Sequence, residues 1–349
     1  MAPANAYLAD AARLTGVNAA RELRYTTDSP LPADATNRGL LNLGNTCYGN
    51  ALLFALSKIP RVRRWLHEHV TAAVKPPIHG PRCPLCMLAR DMEHLARTGT
   101  QLAHTPEVLI HRRTWNPNFN NTNQQDAHEA FQTLLGSCDD VDASAMYALP
   151  ACRNMTPEEF QASAYRATTP HNQIFGNLQL VRTKCTACNI ASVQYERAHA
   201  HDLSLAKEEH STLDVLFADH FGADALDASF RCGSCNTCGQ GEKSTEVLHW
   251  PPVLAISFKR FVFDRRTRSM EKINRPIGYP LLFPIRAGVT YHLRAVVVHS
   301  GTARIGHYTA YVRGDGDRWF YCNDTAVPRR IANPMEVVQQ QAYMLFYER

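Results

Sequence analysis

The segment Gly39-Leu40-Leu41-Asn42-Leu43-Gly44-Asn45-Thr46-Cys47-Tyr48-Gly49-Asn50 places one cysteine where a turn meets a helix. The glycines and asparagines before Cys47 favour a turn, and the apolar spacing after it predicts a helix ending near Ile59. A thiol in the first turn of a helix lies near unpaired backbone N–H groups and the positive end of the helix dipole, which favours the thiolate. Asn42 can direct an amide donor toward an oxyanion near that sulfur. Two interpretations of Cys47 are therefore open, a nucleophile and a small buried cysteine.

Length and composition describe a soluble globular protein. The chain has 349 residues, of which 45% are hydrophobic and 20% charged, enough for one large domain or two ordinary ones. No run of about 18 apolar residues and no leader with a cleavage site is present, so we expect neither a membrane span nor secretion. The net charge of +5 is mild and dispersed, and it does not predict nucleic-acid binding. Residues 1–37 have the character of an N-terminal extension.

The eleven cysteines indicate a reducing compartment, so we expect the protein in the cytoplasm, the nucleus or both. Two pairs have metal-ligand spacing, Cys185-Thr186-Ala187-Cys188 and Cys232-Gly233-Ser234-Cys235. Each pair offers two thiolates from one tight turn, and together they complete a tetrahedron around zinc. The sequence therefore predicts one structural Zn²⁺ held by Cys185, Cys188, Cys232 and Cys235, with Cys238 as an alternative to Cys235.

A third pair, Cys83-Pro84-Leu85-Cys86, precedes a helical pattern. A single pair with this spacing needs two more ligands to bind a metal, and His79 and His94 are the nearest histidines. We expect two structural thiols here, and a metal site is the alternative.

The segment Gln124-Gln125-Asp126-Ala127-His128-Glu129 has the features of a capped helix start. Asp126 and Glu129 suit the first turn electrostatically, and apolar residues follow at helical spacing. Gln125 and Asp126 therefore serve either the helix terminus alone or a polar contact with a ligand at that end of the helix.

The last third of the chain alternates apolar and polar residues, which predicts an antiparallel sheet. His307 lies at the start of one strand behind a glycine-bounded loop, and Asn323-Asp324 follow the strand Trp319–Cys322. If these strands are neighbours, an amide or carboxylate can orient the imidazole. Cys47, His307 and Asn323 or Asp324 would then supply the nucleophile, base and orienting group of an acyl-transfer site.

Five segments in sequence resemble the ubiquitin-specific proteases, a family of deubiquitinating enzymes. The similarity runs from Gly39 to the last residues, in the order and spacing of that family. The segments are the cysteine box Gly39–Leu56, the glutamine/aspartate box Gln124–Glu129, Phe175-Gly176 with the two cysteine pairs at 185 and 232, the palm strand Leu254–Phe261 with Lys272-Ile273, and the histidine box from His299 through Gly306–Tyr311 to Val327.

The resemblance implies an α+β fold of the papain-like cysteine protease superfamily. Its architecture would be a helical thumb over about 38–170, zinc-bearing β fingers over about 171–250 and an antiparallel β palm over about 251–349. The fold would cradle ubiquitin, and residues 1–37 lie outside the similarity.

The resemblance also implies a reaction, cleavage after the C-terminal glycine of ubiquitin through a thioester on Cys47. His307 would act as general base and then acid, and Asn323 would orient its ring, with Asp324 as a second candidate for that role. Asn42 and the backbone N–H of Cys47 would hold the oxyanion. Gln125, Asp126 and Tyr308 would contact the tail of ubiquitin.

The partners implied are ubiquitin and ubiquitinated proteins, together with an unidentified activating or targeting partner. Three alternatives remain at this level: a catalytically silent ubiquitin-binding scaffold of the same fold, the same chemistry on a ubiquitin-like modifier, and a zinc-knuckle module that binds nucleic acid. The acidic and alanine-rich surroundings of the cysteines over 185–238 disfavour the last.

Overall fold

The computed structural model describes residues 38–72, 79–96, 103–119, 123–152, 154–161, 166, 168–285 and 288–349. The N-terminal extension over 1–37 lies outside the described residues.

The helices follow from local signals in the sequence. Pro60 occupies the first turn of its helix, where the missing N–H has no partner to lose. Asp126 caps another helix by accepting hydrogen bonds from two backbone N–H groups. The helices are α1 (Cys47–Ser57), α2 (Pro60–Thr71), α3 (Pro84–Ala96), α4 (Glu107–Ile110), α5 (Ala127–Tyr147), α6 (Pro157–Gln161), α7 (Pro170–Phe175), α8 (Leu213–His220) and α9 (Met335–Val338).

The described strands form two sheets and a hairpin. The strands are β1 (Asn177–Cys185), β2 (Ala191–Ala198), β3 (His201–Ser204), β4 (Asp224–Ala225), β5 (Gly241–His249), β6 (Val253–Lys259), β7 (Phe261–Asp264), β8 (Ser269–Lys272), β9 (Leu282–Pro284), β10 (Thr290–Gly301), β11 (Gly306–Arg313), β12 (Trp319–Cys322), β13 (Arg329–Ile331) and β14 (Ala342–Glu348). The large sheet has the order β13-β12-β11-β10-β14-β6-β3, with β9 paired to β10. The smaller sheet has the order β2-β1-β5-β4, and β7 pairs with β8.

The large sheet is buried on both faces. Along β10, Ala295 and Val297 pack with the helices around α1, whereas Val296 and Val298 pack in a second core on the opposite face. Helix α1 lies against β10 and β11, and every one of its residues is buried. The helix that begins at Cys47 is therefore enclosed between the other helices and the sheet.

The smaller sheet is exposed along much of β2 and carries both cysteine pairs at one end. Cys185 ends β1, the turn containing Cys188 leads into β2, and the second pair precedes β5. The two knuckles are therefore brought to the same tip of the sheet. Helices, a large sheet and this projecting sheet correspond to the predicted thumb, palm and fingers.

Three details differ from the sequence prediction. Strand β3 runs parallel to β6, so the palm is not wholly antiparallel. Strand β3 and α8 belong to the palm core, although they lie within 171–250, the range predicted for the fingers. Helix α5 continues to Tyr147, although the irregular, polar sequence from residue 140 onward predicts a loop. In this part of α5, the Asp142 carboxylate accepts a hydrogen bond from the Trp65 indole N–H at 2.6 Å, which ties the helix to α2.

Among the residues described, no helix combines the length and the apolar character needed to cross a bilayer.

Candidate active site

Cys47 begins α1 directly after the predicted turn. Gly44 and Asn45 have positive φ angles of 90° and 56°, which reverse the chain before the helix. The backbone N–H of Leu43 donates to the Thr46 hydroxyl at 2.9 Å and closes this turn. Cys47 itself is only 2% exposed. The turn and helix are as predicted, and the thiol lies just beneath the surface.

Burial raises the pKa of the Cys47 thiol above its ordinary value of 9.0. The backbone N–H of Tyr308 lowers that pKa, the Asp324 carboxylate raises it, and the N–H groups of Tyr48 and Cys47 lower it by less. The helix start thus acts in the predicted direction, but desolvation outweighs it. Burial of Cys47 therefore favours the neutral thiol in the free protein, against the effect of the helix start.

The raised pKa predicts how alkylation of Cys47 depends on pH. The iodoacetamide rate at this residue, followed by mass spectrometry, is expected to keep rising above pH 9 because only the thiolate reacts. Asp324→Asn removes a negative charge that raises this pKa, so it is expected to speed alkylation at pH 8. Asp317→Asn is the matched control, because Asp317 pairs with Arg313 on the surface. A rate that levels off near pH 7 would contradict the assignment.

His307 stands beside Cys47 with its ring fixed by Asn323. The backbone N–H of Tyr308, the next residue, lies close enough to Cys47 to affect its pKa, and β11 packs directly on α1. His307 Nε2 lies 2.8 Å from Asn323 Oδ1. Because an amide oxygen only accepts, Nε2 carries the proton and donates it, and Nδ1 keeps a free lone pair. This is the tautomer that a general base requires.

Asp324 contacts the cysteine turn rather than the imidazole. Its Oδ2 accepts from Asn42 Nδ2 at 2.8 Å, and its Oδ1 accepts from Asn50 Nδ2 at 2.8 Å. Its backbone oxygen accepts from the N–H of Leu40 at 2.7 Å. Asp324 has a φ of 40°, a region in which Asp and Asn are the favoured non-glycine residues. Of the two candidates for orienting His307, the structure brings Asn323 to the ring and joins Asp324 to the loop before Cys47.

Asn42 is exposed and held at both ends of its side chain. Its Oδ1 accepts from the N–H groups of Gly44 at 3.1 Å and Thr46 at 3.0 Å. One hydrogen of its Nδ2 is engaged by Asp324. Asp324 therefore fixes the orientation of the Asn42 amide.

Gln124 is a residue that the sequence did not single out. Its Oε1 accepts from the N–H of Gly306 at 2.8 Å, and its Nε2 donates to the oxygen of the same residue. This two-point contact holds the chain directly before His307. Gly306 has no room for a side chain, because a Cβ would lie 2.0 Å from His299 Nε2. The sequence carried only a weak signal, the position of Gln124 two residues before a helix cap.

Asp126 caps α5 and also binds a tyrosine of the palm. Its Oδ1 accepts from the N–H groups of His128 at 2.7 Å and Glu129 at 3.2 Å. Its Oδ2 accepts from the Tyr343 hydroxyl, and burial raises the pKa of Tyr343, which keeps that hydroxyl protonated. The helix-terminus interpretation of Asp126 is therefore correct, and it does not exclude a contact with a ligand.

A groove opens between the start of α5 and the palm. Asp126 and Tyr343 line it together with residues 258–262, where β6 ends and β7 begins. Tyr308 is 4% exposed and packs behind this wall, with ring centroids 5.5 Å from Tyr343 and 4.6 Å from His299. Gln125 lies half-buried beside Asp126.

The glycine at position 49 is explained by its neighbour Leu109. A Cβ at Gly49 would lie 2.5 Å from Leu109 Cδ2. The Leu109 side chain fills the space that a larger residue would take.

The four predicted metal ligands of the fingers form a cluster. The ligand atoms of Cys185, Cys188, Cys232 and Cys235 all lie within 4.8 Å of one another. Cys185 Sγ and Cys235 Sγ are 3.7 Å apart, as are Cys188 Sγ and Cys232 Sγ. Zn–S bonds of about 2.3 Å in a tetrahedron imply an S···S separation of about 3.8 Å. The spacing of the thiols therefore fits a tetrahedral metal ion.

The pKa values of these thiols are shifted in opposite directions. The Thr237 hydroxyl and backbone N–H lower the pKa of Cys235 to about 6. The N–H of Ile190 lowers the pKa of Cys188, but desolvation and the neighbouring thiols raise it to about 12. Four thiolates so close repel one another unless a cation lies between them. Cys238 is outside the cluster, and its Sγ lies 4.0 Å from the oxygen of Asn236.

Cys83 and Cys86 are also clustered, and His94 is not their partner. The side chains grouped with them are His69 and His79. His94 instead stacks on His104, with ring centroids 4.3 Å apart. His69 was missed because it lies on the preceding helix, 14 residues from Cys83.

Comparison with known proteins places the chain in a family. Residues 38–347 match the family model described as ubiquitin carboxyl-terminal hydrolase. "Ubiquitin carboxyl-terminal hydrolase 25" of Arabidopsis thaliana is 26% identical over 336 residues, covering 89% of this chain and 47% of that protein. "Probable ubiquitin carboxyl-terminal hydrolase 16" of Schizosaccharomyces pombe is 28% identical over 331 residues, covering 89% and 66%. The chain thus spans less than two thirds of the length of either relative.

Solved structures share the fold. A SAGA Ubp8/Sgf11/Sus1/Sgf73 DUB module bound to ubiquitin aldehyde matches with a TM-score of 0.74 and 22% identity, covering 93% of this chain and 72% of that chain. A yeast SAGA module with a mutant Sgf73 matches with a TM-score of 0.73 and 23% identity, covering 93% and 70%. These matches confirm the predicted thumb–palm–fingers fold. On the family model, the chain belongs to the ubiquitin carboxyl-terminal hydrolases, as the resemblance to the ubiquitin-specific proteases predicted.

Proposed function

We propose that this chain is a cysteine deubiquitinase that hydrolyses the isopeptide or peptide bond after the C-terminal glycine of ubiquitin. The observation that carries the proposal is the 2.8 Å contact from His307 Nε2 to Asn323 Oδ1, next to Tyr308, whose backbone N–H donates to the Cys47 thiol. Family membership supports the choice of ubiquitin as the substrate.

Each side chain of the site has a role in the proposed reaction. His307 Nδ1 takes the proton of the neutral Cys47 thiol as the sulfur attacks the glycine carbonyl. The imidazolium then gives its proton to the departing amine as the C–N bond breaks, and a thioester remains on Cys47. Water, deprotonated by His307, attacks the thioester, and the thiol is released. Asn323 is neutral, so it orients the ring but stabilises the imidazolium less than a carboxylate would.

The oxyanion would be held by the second Nδ2 hydrogen of Asn42 and the backbone N–H of Cys47. Both donors are fixed before the substrate arrives, because Asp324 binds Asn42 and α1 positions Cys47. Donors already oriented need no reorganisation as the charge develops.

A probe of ubiquitin carrying a C-terminal electrophile tests the proposal. The wild-type protein is expected to gain one ubiquitin adduct, and Cys47→Ala is expected to gain none. Cys238→Ala is the matched control because that thiol is exposed and outside the zinc cluster, and it should label normally. An adduct on Cys47→Ala, or no adduct on the wild type, would refute the mechanism. Probes built on ubiquitin-like modifiers test the choice of modifier.

Asp126 and the groove beside it are proposed to hold the tail of ubiquitin, with Gln125 and Tyr308 close by. The tail would lie along the wall of Asp126 and Tyr343 toward Cys47. The Asp126 carboxylate would complement basic groups of that tail.

Two substitutions separate the capping role of Asp126 from substrate binding. Asp126→Ala is expected to lower the free energy of unfolding by about 1 kcal/mol, because it removes the α5 cap. Asp126→Asn keeps a capping oxygen and is expected to fold with near wild-type stability, yet to raise KM because the charge is gone. Urea unfolding and steady-state kinetics on a ubiquitin substrate measure the two effects. An Asp126→Asn variant with unchanged KM would leave Asp126 as a cap only.

We also propose that Cys185, Cys188, Cys232 and Cys235 hold one structural Zn²⁺. Four protein thiolates leave no open coordination position, so the ion would join the two knuckles and take no part in bond cleavage.

Partner and location remain proposals. Structures of the SAGA DUB module contain Ubp8 with Sgf11, Sus1 and Sgf73, and by analogy we propose an activating or targeting partner for this chain. We propose the cytoplasm, the nucleus or both as its location, because a chain with many free cysteines suits a reducing compartment.

A further inference from the structure

A second group of metal-ligating side chains lies in the thumb, apart from the fingers. It consists of His69 near the end of α2, His79, Cys83, and Cys86 in the first turn of α3. One ligand atom from each of the four lies within 4.8 Å of the others. His69 and Cys83 are 6% and 2% exposed, so the cluster lies mostly beneath the surface.

The separations within this group suit a tetrahedral ion. His79 Nε2 lies 3.0 Å from Cys86 Sγ, and His69 Nε2 lies 3.5 Å from Cys83 Sγ. For tetrahedral zinc, Zn–S bonds of about 2.3 Å and Zn–N bonds of about 2.0–2.1 Å imply an N···S separation of about 3.6 Å. Two separate thiol–imidazole hydrogen bonds would explain the short distance within each pair. They would not explain why all four ligand atoms lie within 4.8 Å of one another.

The other ring nitrogen of His69 faces an acidic residue. His69 Nδ1 lies 3.9 Å from Asp142 Oδ1, while Asp142 Oδ2 accepts from the Trp65 indole N–H at 2.6 Å. A ligating histidine commonly turns its second nitrogen toward a carboxylate, which fixes the ring orientation. Asp142 therefore stands where such a supporting group is expected, and it brings α5 into the arrangement.

We propose that His69, His79, Cys83 and Cys86 form a second structural zinc site, which fastens α2 and α3 together. Two thiolates with two imidazoles in a tetrahedral arrangement favour zinc over calcium or magnesium, which prefer oxygen ligands. Because all four ligands come from the protein, the ion has no open position for catalysis.

Metal counting on the 349-residue chain tests the proposal. Cys83→Ser combined with Cys86→Ser is expected to hold one zinc fewer per chain than the wild type. Cys138→Ala is the matched control, since Cys138 is a buried thumb thiol outside the cluster, and it should keep the wild-type zinc content. The fingers variant Cys185→Ser with Cys188→Ser loses its own ion independently, so the two sites are distinguishable. Equal zinc in the thumb variant and the wild type would overturn the proposal.

Substitution of one ligand type for another distinguishes loss of the metal site from general misfolding of a variant. His79→Cys replaces one ligand by another and is expected to keep the full zinc content, whereas His79→Asn is expected to lose one zinc. Cobalt loaded into the fingers variant should give the absorption of a tetrahedral site with two thiolates and two imidazoles. Full zinc in His79→Asn, or no such cobalt spectrum in the fingers variant, would contradict the site.

Discussion

His307→Ala is expected to lower kcat for hydrolysis of a ubiquitin amide by about 10²–10⁴-fold, the usual contribution of a general base. The loss should be large because burial raises the pKa of Cys47, and the thiol therefore needs a proton acceptor at neutral pH. A fluorogenic amide on the C-terminus of ubiquitin measures kcat directly. Binding of ubiquitin should change little, since His307 acts on the reacting atoms.

The control for His307 is His292→Ala. His292 is exposed on the same palm strand as His299, outside the site, and its loss should leave kcat unchanged. Asn323→Ala should also lower kcat, because the ring of His307 then loses its 2.8 Å partner. Near wild-type kcat in His307→Ala would refute the assignment of the base.

Loss of the fingers metal is the second large effect. Cys185→Ser is expected to release the zinc and unfold the tip of the small sheet, because apparent zinc binding in zinc-finger peptides contributes about 10–16 kcal/mol at neutral pH. Metal analysis should find that ion missing, and thermal unfolding should begin at a lower temperature. The two buried cores on the faces of the large sheet contain none of the four cysteines, so the palm and thumb are expected to keep their structure.

Cys238→Ser is the control for that experiment, because Cys238 lies beside the cluster but is not part of it. It should retain both the ion and the melting profile. If Cys238→Ser lost the metal and Cys185→Ser kept it, the ligand set would be wrong.

Much of this architecture was predictable because its signals are local. Short sequence segments determine the turn before Cys47 and the Asp126 cap. The same is true of the alternation that places Leu254, Ile256 and Phe258 in one core. Both fingers knuckles carry their spacing in the sequence. Short-range patterns of this kind need no knowledge of the packing.

The remainder depended on long-range contacts. Gln124 binds Gly306 across 182 residues, and Asp324 binds Asn42 across 282. No periodicity links such positions. The net pKa of Cys47 also depends on long-range packing, because the helix start lowers it as predicted but desolvation by the surrounding fold raises it by more. The parallel pairing of β3 likewise required knowing which sheet that strand joins.

The enclosure of α1 has a consequence for how the protein opens. Amide hydrogens of a helix buried on all sides exchange with solvent only when much of the structure comes apart, so α1 should be among the slowest-exchanging segments. Cys47 then lies in a segment that opens only together with much of the fold. His307, in contrast, follows the exposed loop between β10 and β11. The exposed loop at 302–305 can fluctuate locally while α1 stays in place, and Gln124 and Asn323 hold Gly306 and His307 at the end of that loop. Hydrogen exchange should therefore be faster in this loop than in α1.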